Sequence, residues 1–486
     1  MLGIPSLGRS EDELFAELDE IRSNDLDTKG GRTWAYVYDA GRGAELFRLA
    51  ERAYLSFLHE NALDPTVFPS LLKLENDVVA MAASHLRAGD GVVGNFTTGG
   101  TESIMMALKA GRDFAAETRG ITSPQIVLPV TAHAAFHKAA HYFGIDVVTT
   151  PVDTMTWKAD VDAMARAITP DTIMLVGSAV SYAHGVVDPI PEIAALAHDN
   201  NLLCHVDGCI GGFILPYFRQ LGAPVTDFDF AVPGVTSMSM DLHKYAYTPK
   251  GASVVLYRDA AVRRHQLFAC AGWTGYTVIN TTFQSTKSGG ALAAAWTVMN
   301  HLGQDGYTDI AERTLAATRA IISGIDDIDD LTVMGTPEAN LIALSSDTVN
   351  VFEVVDEMRD LQWYVQPQLG FKGSRENIHL SVSGASLPLV PHLLEDFRSA
   401  IAIAKPKGPS VADPALVELL ESIDPATLDD DSFAQLLAAG GLGGDDGEIE
   451  VPDKTSGISA ILNSCPAPLA ERLLVEFFNR LYVPTD

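Results

Sequence analysis

Apolar positions along this chain follow two rhythms, one of three to four residues and one of short continuous runs. Ser10-Glu11-Asp12-Glu13 has the form of a capping box, and Leu14, Leu18 and Ile21 follow it at helical spacing, which predicts an opening amphipathic helix. The glycine-flanked aromatic segment Lys29–Gly41 reads as a strand packed on the core. Leu72–Leu86 returns to helical spacing, and Val93–Ser103 leads into another helix through Met105, Met106 and Leu108. Strands are then predicted at Ile126–Val130, Val147–Thr149, Ile173–Val176 and Leu202–Val206, with helices at Ala134–Phe143, Ala159–Ile168 and Pro191–His198 between them. Short strands interleaved with helices predict an α/β protein whose largely parallel sheet is covered on both faces. Ligands of such sheets sit at the carboxyl ends of the strands.

Further along, Ser253–Tyr257 predicts a strand, Trp273–Gly290 a loop and Ala291–Met299 a helix. Residues from about 305 to 405 read as a smaller α+β domain, with a helix at Ile310–Ile322 and strands at Leu331–Met334, Leu341–Leu344 and Ile378–Val382. Lys405-Pro406-Lys407-Gly408 marks a boundary, after which Leu428–Asp431 and Gly440–Asp446 suit a solvated acidic linker. Leu473, Phe477 and Leu481 then predict an amphipathic helix in the tail. The divisions are 1–75, an N-terminal segment; 76–300, the large domain; 301–405, the small domain; 406–456, linker-like; and 457–486, a helical tail. The sequence holds no internal repeat.

Composition narrows the class. Over 486 residues, 47% apolar and 20% charged content suits an ordinary globular enzyme. A net charge of −30 repels phosphate backbones and anionic membrane faces, so nucleic acid is excluded as an expected partner. The four cysteines have no metal-type pairing and read as reduced thiols of a cytoplasmic protein. Met1–Ser10 lacks the basic and apolar regions of a signal peptide, and no apolar run approaches the roughly eighteen residues of a membrane span. No transmembrane segment is expected.

The chemistry centres on Thr236–Gly251. Lys244 directly follows His243 in a polar segment after an apolar strand, a setting in which a lysine can hold a carbonyl cofactor as a Schiff base. Asp207 ends the run Leu202–Val206, where its carboxylate can keep the ring nitrogen of pyridoxal phosphate protonated. Gly99 and Gly100 precede a helix, where backbone amides can approach a phosphate, although two glycines suit a tight turn equally. Other candidates carry two readings on their residues alone. His133 fits a helix cap, His59 a structural or substrate-facing role, Tyr182 proton exchange or packing, and Lys250 a turn after Pro249. His137, His141 and His184 form no metal-ligand spacing.

The pairing of His205-Val-Asp-Gly-Cys-Ile-Gly-Gly212 with Asp241-Leu-His-Lys-Tyr-Ala-Tyr-Thr-Pro-Lys-Gly251 resembles the group II pyridoxal-phosphate decarboxylases, most closely their sphingosine-1-phosphate lyase branch. The resemblance implies an aspartate-aminotransferase-like fold (fold type I), with a mostly parallel seven-stranded sheet and a smaller α+β C-terminal domain. It places Gly99, Gly100 and Thr101 on the cofactor phosphate, through a motif from which this chain departs only at Thr98. It makes His133 the residue stacked on the ring, sets His243 beside Ser239 at the phosphate, and puts Tyr182 near the reacting bond. Tyr38, His59 and Lys250 would hold a substrate phosphate at the mouth, to which the N-terminal segment contributes.

Gly289 belongs to a segment resembling the one that reaches the neighbouring subunit's phosphate cup in family dimers, although Lys287-Ser288 stands where the lyases have Arg-Pro. Gly208 replaces a usual alanine, which is expected to loosen one wall. The resemblance further implies a homodimer with shared active sites and a soluble, bacterial-style protein without the anchor of eukaryotic lyases. The expected reaction is retro-aldol cleavage of a phosphorylated long-chain base, such as sphingosine 1-phosphate, to a fatty aldehyde and ethanolamine phosphate. The alternative is decarboxylation of glutamate, aspartate or an aromatic amino acid.

Overall fold

The computed structural model describes residues 3–409, 414–429, 432–433, 436 and 454–484. Its centre is a seven-stranded sheet of β1 (Val93–Thr97), β2 (Gln125–Pro129), β3 (Asp146–Thr150), β4 (Thr172–Ser178), β5 (Leu203–Asp207), β6 (Ser237–Asp241) and β7 (Ser253–Tyr257), in the order β1-β7-β6-β5-β4-β2-β3. Only β7 runs against its neighbours, β6 and β1; the other pairings are parallel. The carboxyl ends of β1, β2, β4, β5 and β6 therefore share one edge, and the loops leaving them converge there. Strands β4, β6 and β7 are buried along their whole length, as expected of a sheet covered on both faces.

Two strands escape the apolar-run pattern. β1 lies within the glycine-containing stretch before a helix, and β6 is the polar-looking Ser237-Met238-Ser239-Met240-Asp241. In β6 the period of two sends methionines to one face and hydroxyls and a carboxylate to the other. The predicted helix at Ala291–Met299 extends over Gly289–Asp326, broken at Gly303, whose φ of 55° is left-handed. Part of the predicted loop before it is a hairpin, Phe268–Cys270 with Val278–Asn280.

The small domain folds as an antiparallel sheet of Thr332–Val333, Leu341–Ser345, Asn377–Ser381 and Gln366–Gln368, backed by helices Val351–Asp360 and Val390–Ala404. The aromatic segment before Gly41 is not a strand. It makes one bridge, Thr33 to Tyr364, and Tyr36 turns out of line at φ 64°. Trp34 is instead an anchor, edge-on to Trp363 at 6.0 Å in the small-domain core. The Ser10 capping box forms, yet its helix Glu11–Arg22 buries none of its residues.

Within the expected linker, Pro414–Ser422 is helical, and Leu420 and Phe433 pack with Leu469 and Leu473 of the helix Ala467–Leu481. The acidic run Gly440–Asp446 lies outside the described residues. Asp356 fixes this C-terminal module to the small domain by accepting hydrogen bonds from the Thr455 and Ser456 N–H groups, at 2.9 Å each. Among the described residues no helix is long and apolar enough to cross a membrane, and no cluster of metal-ligating side chains occurs.

Candidate active site

A cavity of about 420 Å³ opens at the shared carboxyl edge of the sheet, lined by Gly99, Gly100, Thr101, His133, Tyr182, Asp207, His243 and Lys244 among others. Each arrives on the loop after a strand or at the strand's last residue. The Lys244 side chain is one-fifth exposed, and its Nζ lies 3.0 Å from Asp241 Oδ2. Burial alone would lower the lysine's pKa, but Asp241 outweighs it and holds the ammonium above the usual range. Burial likewise works against the Asp241 carboxylate, and Lys244 and His243 together bring it below its ordinary value.

Asp207, the last residue of β5, accepts hydrogen bonds from Cys209 N–H at 3.0 Å and Ser239 Oγ at 3.3 Å. Ser239, expected at the phosphate, lies under this carboxylate, within 3.4 Å of His205 Nε2 and off the cavity wall. The hydroxyl face of β6 points there because Met238 and Met240 take the other face. His243 receives the Ala252 N–H on Nδ1 at 3.3 Å, and its Cε1 lies 3.5 Å from where a Cβ on Gly99 would stand. A Cβ on Gly100 would come 2.7 Å from Cys209 Sγ and 2.9 Å from Asp241, so only glycine fits at this helix start.

His133 lies both at a helix start and on the cavity wall. Its Nδ1 accepts the Ala135 N–H at 3.1 Å, capping the helix Ala135–Phe143, while its ring lines the cavity. Tyr182 stacks on His379 at 4.3 Å and donates its hydroxyl hydrogen to Gln366 Oε1 at 2.6 Å. Beyond the lining residues, Lys250 Nζ stands 4.8 Å from the centre of the Tyr38 ring and donates to the Tyr36 carbonyl at 3.1 Å; neither Lys250 nor Tyr38 lines the cavity itself. Desolvation and then repulsion by Lys244 lower the Lys250 pKa.

Two expected residues lie elsewhere in their own chain. His59 is exposed in the bend after helix Ala44–Ser56 and does not line the cavity. Gly289 is buried, its N–H bonded to the Glu60 carbonyl at 2.9 Å and its α-carbon facing Leu71, because it begins a helix packed on that segment. Gly208 loosens nothing: a Cβ there would come 2.9 Å from the Ser239 carbonyl, so this wall is already closed.

Comparison with known proteins places the chain in a family. The family model for class-V aminotransferases matches residues 92–362, and one for a C-terminal HTH domain of pyridoxal-dependent enzymes matches 414–480. The sphingosine-1-phosphate lyase of Oryza sativa is 38% identical over 408 residues, covering 83% of this chain and 74% of that one. The Dictyostelium discoideum lyase is 40% identical, covering 75% and 67%. A solved Burkholderia pseudomallei sphingosine-1-phosphate lyase superposes with a TM-score of 0.79 at 34% identity, covering 83% of this chain and 93% of that one.

The chain belongs to the sphingosine-1-phosphate lyase branch of the group II pyridoxal-phosphate decarboxylases. Like its family it is a pyridoxal-phosphate-dependent lyase of fold type I. A Lactobacillus brevis glutamate decarboxylase, at 21% identity and a TM-score of 0.72, shares the fold. The residues present fit the lyase cofactor. Lys244 offers an amine, Asp207 a carboxylate across the cavity, His133 a flat ring, and the Gly99–Thr101 turn the amino end of a twenty-residue helix.

Four further residues at this lyase site were not singled out from the sequence. Asp241 precedes Lys244 by three positions, and the period-two pattern of β6 was the signal that could have found it. Cys209 packs against Gly100. Glu102 ties the turn before Gly99 and Gly100 to the segment after the hairpin, accepting from Thr98 N–H at 2.7 Å and Phe283 N–H at 3.0 Å. Gln366 comes from the small domain and had no local signal.

Proposed function

We propose that this lyase cleaves the C2–C3 bond of a phosphorylated long-chain base such as sphingosine 1-phosphate, releasing a fatty aldehyde and ethanolamine phosphate. The observation that supports the reading is a second cation on the loop that bears Lys244: Lys250 lies over the Tyr38 ring, near enough to Lys244 for the two ammonium groups to repel. A cation beside a phenol suits a substrate phosphate, which accepts charge-assisted hydrogen bonds. An amino-acid decarboxylase would have to orient an α-carboxylate instead.

Bound pyridoxal phosphate supplies the electron sink for the bond broken beside the substrate amine. Lys244 would hold the cofactor through its side-chain amine, and the same amine is placed to carry a proton in the cavity. Asp207, backed by Ser239 and the Cys209 N–H, would keep the ring nitrogen protonated. His133 would cover the ring face, and Gly99, Gly100, Thr101 and His243 would receive the cofactor phosphate. Tyr38 and Lys250 hold the substrate phosphate, while Tyr182 faces the substrate hydroxyl. The active form is a cytoplasmic homodimer with shared active sites, in which the loop before Gly289 serves the neighbouring site and His59 joins Tyr38 and Lys250 at the substrate phosphate.

The test is a product assay on cofactor-loaded protein, offering sphingosine 1-phosphate and, separately, acidic and aromatic amino acids. Aldehyde with ethanolamine phosphate is expected. Carbon dioxide from an amino acid with no aldehyde would overturn the reading.

A further inference from the structure

Gln366 sits at the edge of the small-domain sheet, opposite His379, and its side chain leaves that domain to meet two phenols. Its Oε1 accepts the Tyr182 hydroxyl hydrogen at 2.6 Å, and its Nε2 donates to Tyr36 Oη at 2.7 Å. Tyr182 lines the cofactor cavity, and the Tyr36 carbonyl holds Lys250, a cation outside its lining on the loop that bears Lys244. One amide thus joins the inner wall to the outer rim. The loop that follows Gln368 is itself held from outside, because the Gly370 N–H donates to Asn463 Oδ1 of the C-terminal module at 2.6 Å.

A phenol has a single hydrogen to give. Given to Gln366, it leaves only oxygen lone pairs toward the cavity. A carboxamide oxygen accepts a hydrogen bond but is too weak a base to take the proton onward. The His379 ring, 4.3 Å away, closes the other side and prevents the phenol from swinging to a new partner.

We propose that Gln366 is a positioning residue that fixes Tyr182 as a hydrogen-bond acceptor for the substrate's hydroxyl. Tyr182 then orients that hydroxyl and does not remove its proton. The identity of the hydroxyl rests on the proposed lyase reaction; the coupling of Gln366 to Tyr182 does not.

The test is a mutant cycle on the cofactor-loaded enzyme, using whichever substrate the wild-type protein turns over. Gln366→Met keeps the length and removes both contacts. It is expected to lower kcat about tenfold with KM little changed, the scale of one lost hydrogen bond at a reacting group. Bound-cofactor absorbance should stay at the wild-type level, and Gln366→Glu, which keeps an acceptor, should recover most of the rate. In a Tyr182→Phe background Gln366→Met should cost nothing more, whereas in a Tyr36→Phe background it should still cost its full factor. Should Gln366→Met fail to fold, Gln366→Asn takes its place, one methylene too short for either phenol. A wild-type kcat in Gln366→Met or Gln366→Asn, or an undiminished loss in the Tyr182→Phe background, would overturn the proposal. Turnover of an amino acid with no aldehyde would overturn the lyase reading instead, and the cycle would still report the coupling.

Discussion

Lys244 and Asp241 form a close ion pair, Nζ to Oδ2 at 3.0 Å, on the turn that leaves β6. The carboxylate is almost wholly buried, and its Oδ1 has no hydrogen-bond partner. Removing one member of a buried pair leaves the other uncompensated, at a cost of about 3–5 kcal/mol. Lys244→Ala should therefore abolish both activity and cofactor absorbance, and also weaken the cofactor-free protein by roughly 3 kcal/mol in urea unfolding. Lys244→Met combined with Asp241→Asn should recover most of that stability and none of the activity. A single variant as stable as the wild type would show that the pair is structurally idle.

Gly100→Ala tests the phosphate turn. The added methyl would press on Cys209 Sγ and Asp241, both buried. Overpacking of this kind costs about 1–3 kcal/mol, and the shifted turn should lower affinity for pyridoxal phosphate at least tenfold by fluorescence titration. Gly99→Ala, whose methyl meets only His243 Cε1 at 3.5 Å, should be the milder change.

Lys250→Ala should discriminate between substrates. With the cation at the mouth gone, KM for a phosphorylated long-chain base is expected to rise about tenfold while kcat changes little, the pattern of lost uniform binding. The dephosphorylated base should be nearly unaffected. Equal effects on both would remove Lys250 from the phosphate site.

Acid should destabilise the fold before the carboxylates titrate. Burial pushes His184 and His205 down to about 4 and His379 to about 3, from an ordinary value of 6.5. The unfolded chain then binds protons at these sites between pH 6.5 and about 4 while the native chain does not, so stability falls as pH falls through that window. When complete, the shift corresponds to about 3 kcal/mol for His184 and His205 and about 5 kcal/mol for His379. Urea midpoints measured from pH 7 to pH 4.5 should drop steeply, and His379→Gln should flatten the slope. A flat profile would refute neutral burial of these rings.

Much of the cofactor side of the site was legible because it is written in local signals. Lys244 follows a histidine, Asp207 ends an apolar run, and Gly99-Gly100 precedes a helix; each is a strand-end loop, and strand ends meet in parallel sheets. The substrate side was less legible. Tyr36, Tyr182, Gln366 and Lys250 come from four distant stretches, joined by side-chain hydrogen bonds that no periodicity encodes. Ser239 was placed by its neighbours in a motif, but the pleat of β6 turned it beneath Asp207. The aromatic segment around Trp34 was taken for a strand because its residues favour one, while tertiary packing of Trp34 on Trp363 decided otherwise.

Because β7 returns against β6, the loop carrying Lys244 is pinned at both ends in adjacent central strands. The Leu242 and His243 N–H groups both reach the Ala252 carbonyl at 3.0 Å, and Asp241 pairs with Ser253. The spacing between those residues is thus a fixed gauge, with no slack for insertion or deletion. Diversification of substrate choice in such a scaffold is channelled to the rim, where the loop from Leu369 to Ser374, beyond the paired strand Gln366–Gln368, borders a second cavity beside His133, Tyr182 and His184 and can change length without moving the lysine.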